Sequence, residues 1–287
     1  MPFLGAGVHA RPAAVLIGAP YDATSTYRAG SAHAPASIRW ASESVETYSP
    51  FQQRDLADLA FSDSGDLDLA GCSPEAMVER VRARVAATSG LPVVIGGDHA
   101  VTFGAVAALA ERHPDLGIIV LDAHLDLLDE YEGAHWSHAT VLRRITDRLG
   151  WERCAVLGAR SGTRDEWAAA ASLAAAVRTG DLPPAARAAM RDRPIYLSVD
   201  IDVFDPSIAP GTGNPEPLGI SIGEFASLLG VLAEHRIVGC DLVEVSPPCD
   251  PSGRTSILAA WLLREMLLAF VRPGGTRARG GTALRAS

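Results

Sequence analysis

The sequence predicts an α/β protein in which one mainly parallel sheet is covered by helices on both faces, and three observations predict it. Short apolar runs rich in β-branched residues alternate with longer stretches rich in Ala, Leu and Arg, as in chains that build a parallel sheet with crossover helices. Several of the runs lack a two-residue polar alternation, as strands buried on both faces do. No linker, repeat or break in composition divides the chain, so residues 1–271 are expected to form one domain. With 287 residues, 48% of them hydrophobic, an extensive core is within reach.

The expected strands are 13–20, 92–97, 117–123, 154–159, 194–202 and 237–245. The expected helices between and after them are 74–88, 100–112, 137–149, 165–178, 221–235 and 255–270. The first helix has Ser73 as an N-cap and Pro74 at its first position, where a missing N–H costs nothing. Ser221 with Glu224 three residues on forms a capping-box pattern. The final stretch 272–287, RPGGTRARGGTALRAS, has no apolar periodicity and is expected to be a mobile tail.

The net charge of −9, from 34 acidic and 25 basic residues, argues weakly against nucleic acid or an anionic membrane as partner; it is compatible with a small cationic substrate, although such a surface more often only keeps a protein soluble. Cys72, Cys154, Cys240 and Cys249 are far apart and form no C-x-x-C pair, which argues against a disulfide framework or a thiolate zinc site. With no signal-like or membrane-spanning apolar run, the expected location is the cytoplasm.

Polar groups fall where the strands end. PVVIGG is followed by Asp98-His99, GIIVL by Asp122-Ala-His124-Leu-Asp126, PIYLSV by Asp200-Ile-Asp202, and IVGCDLV by Glu244. Ligands of open parallel sheets bind beyond the carboxyl ends of the strands. In an extended chain, alternate residues of D-x-H-x-D and D-x-D project to one side. His99, Asp122, His124, Asp126, Asp200 and Asp202 then pool four carboxylates and two imidazoles. Four carboxylates packed together in a low dielectric repel one another unless cations intervene. Two divalent ions would relieve that repulsion. The donor set suits Mn²⁺, with Fe²⁺, Co²⁺ or Zn²⁺ as alternatives.

These residues lie in motifs that resemble a known family. GGDHAVTFG (96–104), LDAHLDL (121–127) and SVDIDVFDPSIAPGTGNPEPLG (198–219) are similar to the three signature regions of the ureohydrolases, the arginase and agmatinase family. GAPYDATSTYRAGSAHAPASIR (18–39), ESVETYSP (43–50), SDSGDLDL (62–69) and LVEVSPPCDPSGRTSILAA (242–260) extend the resemblance, towards the agmatinase branch. It implies a three-layer α/β/α fold of the arginase type holding two Mn²⁺ ions. One would take His99, Asp122, Asp126 and Asp200; the other Asp122, His124, Asp200 and Asp202. It implies hydrolysis of a guanidinium to urea and an amine. Asp126 would hydrogen-bond the attacking hydroxide, Glu244 would receive the planar guanidinium, and His138, in SHATVLRR, would handle the proton. His135, its neighbour, reads as a loop histidine. Thr255 is a further candidate for the substrate site. Family members form trimers or hexamers, so a homo-oligomer is implied.

Agmatine is the leading substrate. Guanidinobutyrate, aminopropylagmatine and arginine are alternatives, as is a formimino substrate of the formiminoglutamase type; a non-catalytic binding protein on the same fold is the most distant reading. Departures from the usual motifs lie in loops: Leu127 after Asp126, Ala139 after His138, and Asn214 and Leu218 in the third region. They bear on substrate choice more than on chemistry. The acidic run Asp129-Glu130-Tyr131-Glu132 is a candidate for greeting a cationic substrate tail, or equally a solvated loop.

Overall fold

A computed structural model describes residues 1–178 and 181–272. From residue 273 onward, the expected tail lies outside the described residues. The strands are β1 Ala14–Ala19, β2 Tyr48–Ser49, β3 Arg54–Asp55, β4 Phe61–Asp66, β5 Leu91–Gly96, β6 Gly117–Leu121, β7 Cys154–Leu157, β8 Ala175–Val177, β9 Pro194–Asp200 and β10 Arg236–Val243. The helices are α1 Ala34–Ser42, α2 Pro74–Ala86, α3 Val101–Arg112, α4 Val141–Leu149, α5 Arg164–Ala170, α6 Pro184–Met190, α7 Ile222–Leu232 and α8 Arg254–Phe270.

Eight strands form one sheet in the order β4-β1-β5-β10-β9-β6-β7-β8, and every pairing in it is parallel. β2 and β3 make a separate antiparallel pair. The apolar runs without alternation are explained by two cores. Leu16, Val93, Ile95, Ile119, Leu121, Val199 and Leu242 pack on one face under α1, α6, α7 and α8. Ile17, Val94, Ile118, Val120 and Val243 pack on the other with α2, α3 and α4. The result is the expected three-layer α/β/α arrangement. None of the described helices is long and apolar enough to cross a membrane.

The four strands that carry the chemistry are adjacent, in the order β5-β10-β9-β6. Their register is level: Leu121 pairs with Val199, Val199 with Leu242, and Leu242 with Ile95. The chain therefore leaves each strand at the same height, and the polar residues that follow share one rim.

Two expectations need correction. The Ala-rich stretch 165–178 is not one helix: α5 ends at Ala170 and residues 175–177 form β8, the edge strand beside β7. Alanine is the best helix former, but helix propensity amounts to only fractions of a kcal/mol per residue, and pairing with an open sheet edge overrides it. The helix expected at 137–149 begins as a 3-10 turn at His138–Thr140, with α4 starting at Val141. β2, β3, β4, α1 and α6 were not anticipated.

Candidate metal centre

Each polar residue reaches the rim by a local device. Asp98 and His99 follow β5 across Gly97, where a Cβ would come within 1.7 Å of the Tyr21 carbonyl oxygen, so only glycine lets the two segments pass. Asp122 follows β6 directly, and its Oδ1 accepts from the His124 N–H at 2.6 Å. Asp126 leaves the extended path: its φ is +50°. Its carbonyl accepts from Arg143 N at 3.1 Å, and the next N–H, of Leu127, donates to Glu166 Oε1 at 3.0 Å. Asp202 sits in a 3-10 turn rather than in the strand, and its N–H donates to Asp200 Oδ1 at 2.8 Å. The D-x-D pair thus converges through a turn, not through strand alternation.

The side chains form two groups that share Asp122. His99, Asp122 and Asp126 make one; Asp122, His124 and Asp202 make the other. His99 Nδ1 lies 3.0 Å from Asp122 Oδ2, 3.2 Å from Asp126 Oδ2 and 3.5 Å from Asp200 Oδ2. His124 Nδ1 lies 2.9 Å from Asp202 Oδ2 and 3.6 Å from Asp122 Oδ1. Five of the six expected ligands fall in these groups; Asp200 is in neither but adjoins them through His99.

The donor set fits cations. His99 Nδ1 is buried and makes no hydrogen bond, although three carboxylate oxygens surround it. A buried polar atom in that position carries a cost unless something else satisfies it. The electrostatics agree. Burial and the charge of Asp122 push Asp126 up to about 7, and burial with the charges of Asp202 and Asp122 pushes Asp200 well above the carboxylate range. Burial works against the charged imidazole of His124, yet Asp202 and Asp122 hold it up at about 12. Such a cluster holds more acid than its own bases can neutralise, and bound cations would supply the difference.

A cavity of about 600 Å³ opens over the cluster. Among its lining residues are His124, Asp126, Asp200, Asp202, Tyr131, His138, Thr212, Asn214, Glu166, Glu216 and Glu244. Glu244 is buried and has φ +63°, pinned there by its N–H to the Gly97 carbonyl at 2.8 Å. Its Oε1 accepts from the His99 N–H at 2.7 Å. Burial first, then the charge of Asp98, raises the Glu244 carboxyl well above its usual range. His138 is held by its N–H to Thr24 Oγ1 at 3.0 Å, and its ring meets Tyr131 edge-on at 5.7 Å. Burial lowers its pKa below the usual imidazole value, so it rests neutral at pH 7. His135 is exposed, does not line the cavity and bonds the Asp129 carbonyl, as a loop histidine would.

Two expectations do not match the cavity wall. Thr255 is not part of it. Its hydroxyl donates to Asp250 Oδ2 at 2.7 Å and accepts from Gly211 N at 2.9 Å, so it braces the loop after β9 instead. Of the acidic run, only Tyr131 reaches the cavity; Asp129 is paired with Arg144 outside it. The acids that do line the wall beyond the expected ligands are Glu166, Glu216 and Glu244, and among the described residues no Arg lines it.

Sequence reasoning missed several supporting residues. Glu166 closes the capping box of α5 with Thr163 and also holds Leu127, and so the turn at Asp126. The T-x-x-E spacing was a visible signal for the first role only. Arg160 donates to the carbonyls of Asp202, Val203, Glu216 and Pro217, tying the exit of β7 to the loop after β9. Nothing in its local sequence marks it.

The arginase family model matches residues 12–269. The chain belongs to the arginase family. It is 37% identical over 266 residues to an agmatinase of Bacillus anthracis, a match covering 90% of this chain and 92% of that protein. Its fold is similar to the crystal structure of a putative agmatinase from Clostridium difficile, with TM-score 0.85 and 35% identity over 91% of this chain and 98% of that one. It is also similar to proclavaminate amidino hydrolase from Streptomyces clavuligerus, with TM-score 0.83 and 31% identity over 92% of this chain and 93% of that one. The protein is an amidinohydrolase of this family, acting on the C–N bonds of linear amidines.

Proposed function

We propose that the protein hydrolyses agmatine to putrescine and urea at a pair of Mn²⁺ ions held by His99, Asp122, Asp126, Asp200, Asp202 and His124. The observation that carries this reading is the buried Glu244 carboxylate in the wall of a cavity over the cluster of His99, Asp122, His124, Asp126 and Asp202, with Asp200 beside it. The acidic wall, with Glu166 and Glu216 beside Glu244, supports a substrate that ends in a cation rather than a carboxylate. The agmatinases among the relatives support the same choice.

The ions, when bound, lower the pKa of a water so that a strong nucleophile exists near neutral pH. The residues do the rest. Glu244 accepts N–H donors of the guanidinium and fixes its plane, a charge-assisted contact. Asp126 accepts a hydrogen bond from the attacking water and orients it. Attack forms a C–O bond to the guanidinium carbon, and the bond from that carbon to the nitrogen bearing the alkyl arm breaks, so that nitrogen leaves as the amine. His138, neutral at rest, takes up a proton and passes it to the departing amine.

The deciding experiment is a urea-release screen of the Mn²⁺-loaded protein over agmatine, arginine and guanidinobutyrate. Agmatine is expected to give the highest kcat/KM. Urea from arginine and none from agmatine refutes the substrate, and formamide from a formimino compound in place of urea refutes the reaction.

For His138→Ala we expect kcat to fall about 100-fold or more, the lower end of general acid–base contributions, with metal content unchanged. The sign of the pH dependence follows from the lowered pKa: below it the imidazole is protonated and accepts nothing. The parent kcat should therefore fall as pH drops through that value, and the variant should lack this limb. Loss of metal from the variant would instead make His138 a ligand.

A further inference from the structure

Behind the cluster, on the side away from the cavity, lies a polar network in the middle of the sheet. Asp241 of β10 is fully buried. Its Oδ1 accepts from Ser198 Oγ at 2.6 Å. Its Oδ2 accepts from Thr102 Oγ1 at 2.7 Å and from Tyr196 OH at 2.8 Å. Ser198 Oγ in turn lies 3.0 Å from His99 Nε2. Hydrogen counting sets the direction of each bond. Burial pushes the Asp241 pKa up, but its three hydroxyl donors favour the ionised form; an ionised carboxylate only accepts, and each hydroxyl has a single proton to give. Ser198, having given its proton to Asp241, can only accept from His99. The ring proton of a neutral His99 must then sit on Nε2, which leaves a lone pair on Nδ1. That is the atom facing Asp122, Asp126 and Asp200 without a hydrogen bond.

We infer that Asp241 is a positioning residue for the metal centre: acting through Ser198, it fixes the His99 tautomer so that Nδ1 presents its lone pair to a cation. Three donors converge on Asp241 from β9 and α3, so its carboxylate cannot rotate away. An Asn in its place would carry N–H donors of its own. It could reverse a hydroxyl in the network and free Ser198 to donate to Nε2, which favours the tautomer with its proton on the metal-facing nitrogen. Groups that orient the far nitrogen of a metal-binding histidine are worth about 10- to 100-fold in metal affinity.

The inference rests on the reading that His99 is a ligand, and the test separates the two. Metal-free protein is dialysed against graded Mn²⁺ and its metal content measured for the parent, Ser198→Ala, Asp241→Asn, the double variant and His99→Ala. Ser198→Ala and Asp241→Asn should each weaken one of the two ions about 10- to 100-fold and leave the other at parental affinity. The double variant should be no worse than the weaker single, because both act through one chain of bonds. General damage to the fold would weaken both ions and add up. Parental affinity in both singles, or additive losses at both ions, overturns the inference. Should Asp241→Asn not fold, the inference stands or falls on Ser198→Ala, which removes a single oxygen. If His99→Ala also binds two ions like the parent, the ligand assignment itself is wrong; if it alone loses one, only the role of Asp241 is.

Discussion

Asp122→Asn is expected to abolish metal binding at both positions and, with it, urea release. Asp122 is the residue that the two groups share. Its Oδ2 stands 3.0 Å from His99 Nδ1 and its Oδ1 3.6 Å from His124 Nδ1. It is also the carboxylate held most firmly in its charged form: burial opposes ionisation, but His124 and His99 pull its pKa down below the usual range. Asparagine keeps the shape and an oxygen for the His124 N–H but removes the negative charge between the two positions. Such ions ordinarily contribute several kcal/mol of transition-state stabilisation, and about 1.4 kcal/mol is a tenfold change in rate. Turnover should therefore fall by more than about 10³-fold. Metal analysis after dialysis checks the cause. Asp126→Asn is the instructive contrast. Asp126 belongs to one group only, so that variant should lose turnover while the position built on His124 and Asp202 stays filled. Two metals retained at parental affinity in Asp122→Asn would remove it from the site.

The clustering of Asp and His at strand ends was legible because it follows from a general property of parallel sheets. The loops at the carboxyl ends carry the chemistry, and buried strands announce themselves as apolar runs. The strand order was not legible. β10, last in sequence, lies between β5 and β9, and only long-range pairing puts Glu244 against His99. The local geometry was half legible. D-x-H-x-D was read as an extended strand, yet Asp126 turns to φ +50° because Glu166 and Arg143, far along the chain, bond the backbone around it. Thr255 was credited with a substrate contact because it sits in a signature segment; its partners Asp250 and Gly211 became apparent only with the fold. Asp241 carried a signal that went unused. A carboxylate inside the buried run IVGCDLVEV needs partners, and those partners are three hydroxyls, of which Ser198 leads on to His99.

Glu244→Gln should separate guanidinium recognition from metal binding. The side-chain amide keeps an oxygen that can accept the His99 N–H, so the backbone around His99 has no reason to move. The backbone constraint also persists, because the φ of +63° is held by the Glu244 N–H to the Gly97 carbonyl and not by the carboxylate. What changes is the charge offered to the substrate. Burial and Asp98 penalise the ionised form of Glu244. A guanidinium arriving beside it removes that penalty, since a nearby opposite charge favours ionisation. Glutamine gives the cation a dipole in place of a charge and turns an N–H donor towards the N–H groups of the guanidinium. A hydrogen bond to a charged group is worth about 1.5–3 kcal/mol, which corresponds to a loss of about 10- to 150-fold in kcat/KM. The loss should appear with Mn²⁺ content unchanged, because the one Glu244 oxygen with a partner accepts from the His99 N–H, a bond that glutamine can keep, and Glu244 is not among the six proposed ligands. Measured side by side, the two variants assign the site in halves: Asp122→Asn empties it, whereas Glu244→Gln leaves it filled and unable to hold the substrate's charge. A Glu244→Gln protein that releases urea with parental kcat/KM would mean that the guanidinium lies elsewhere in the cavity, with Glu166 and Glu216 as the remaining carboxylates of the wall beyond the ligand groups and Asp200.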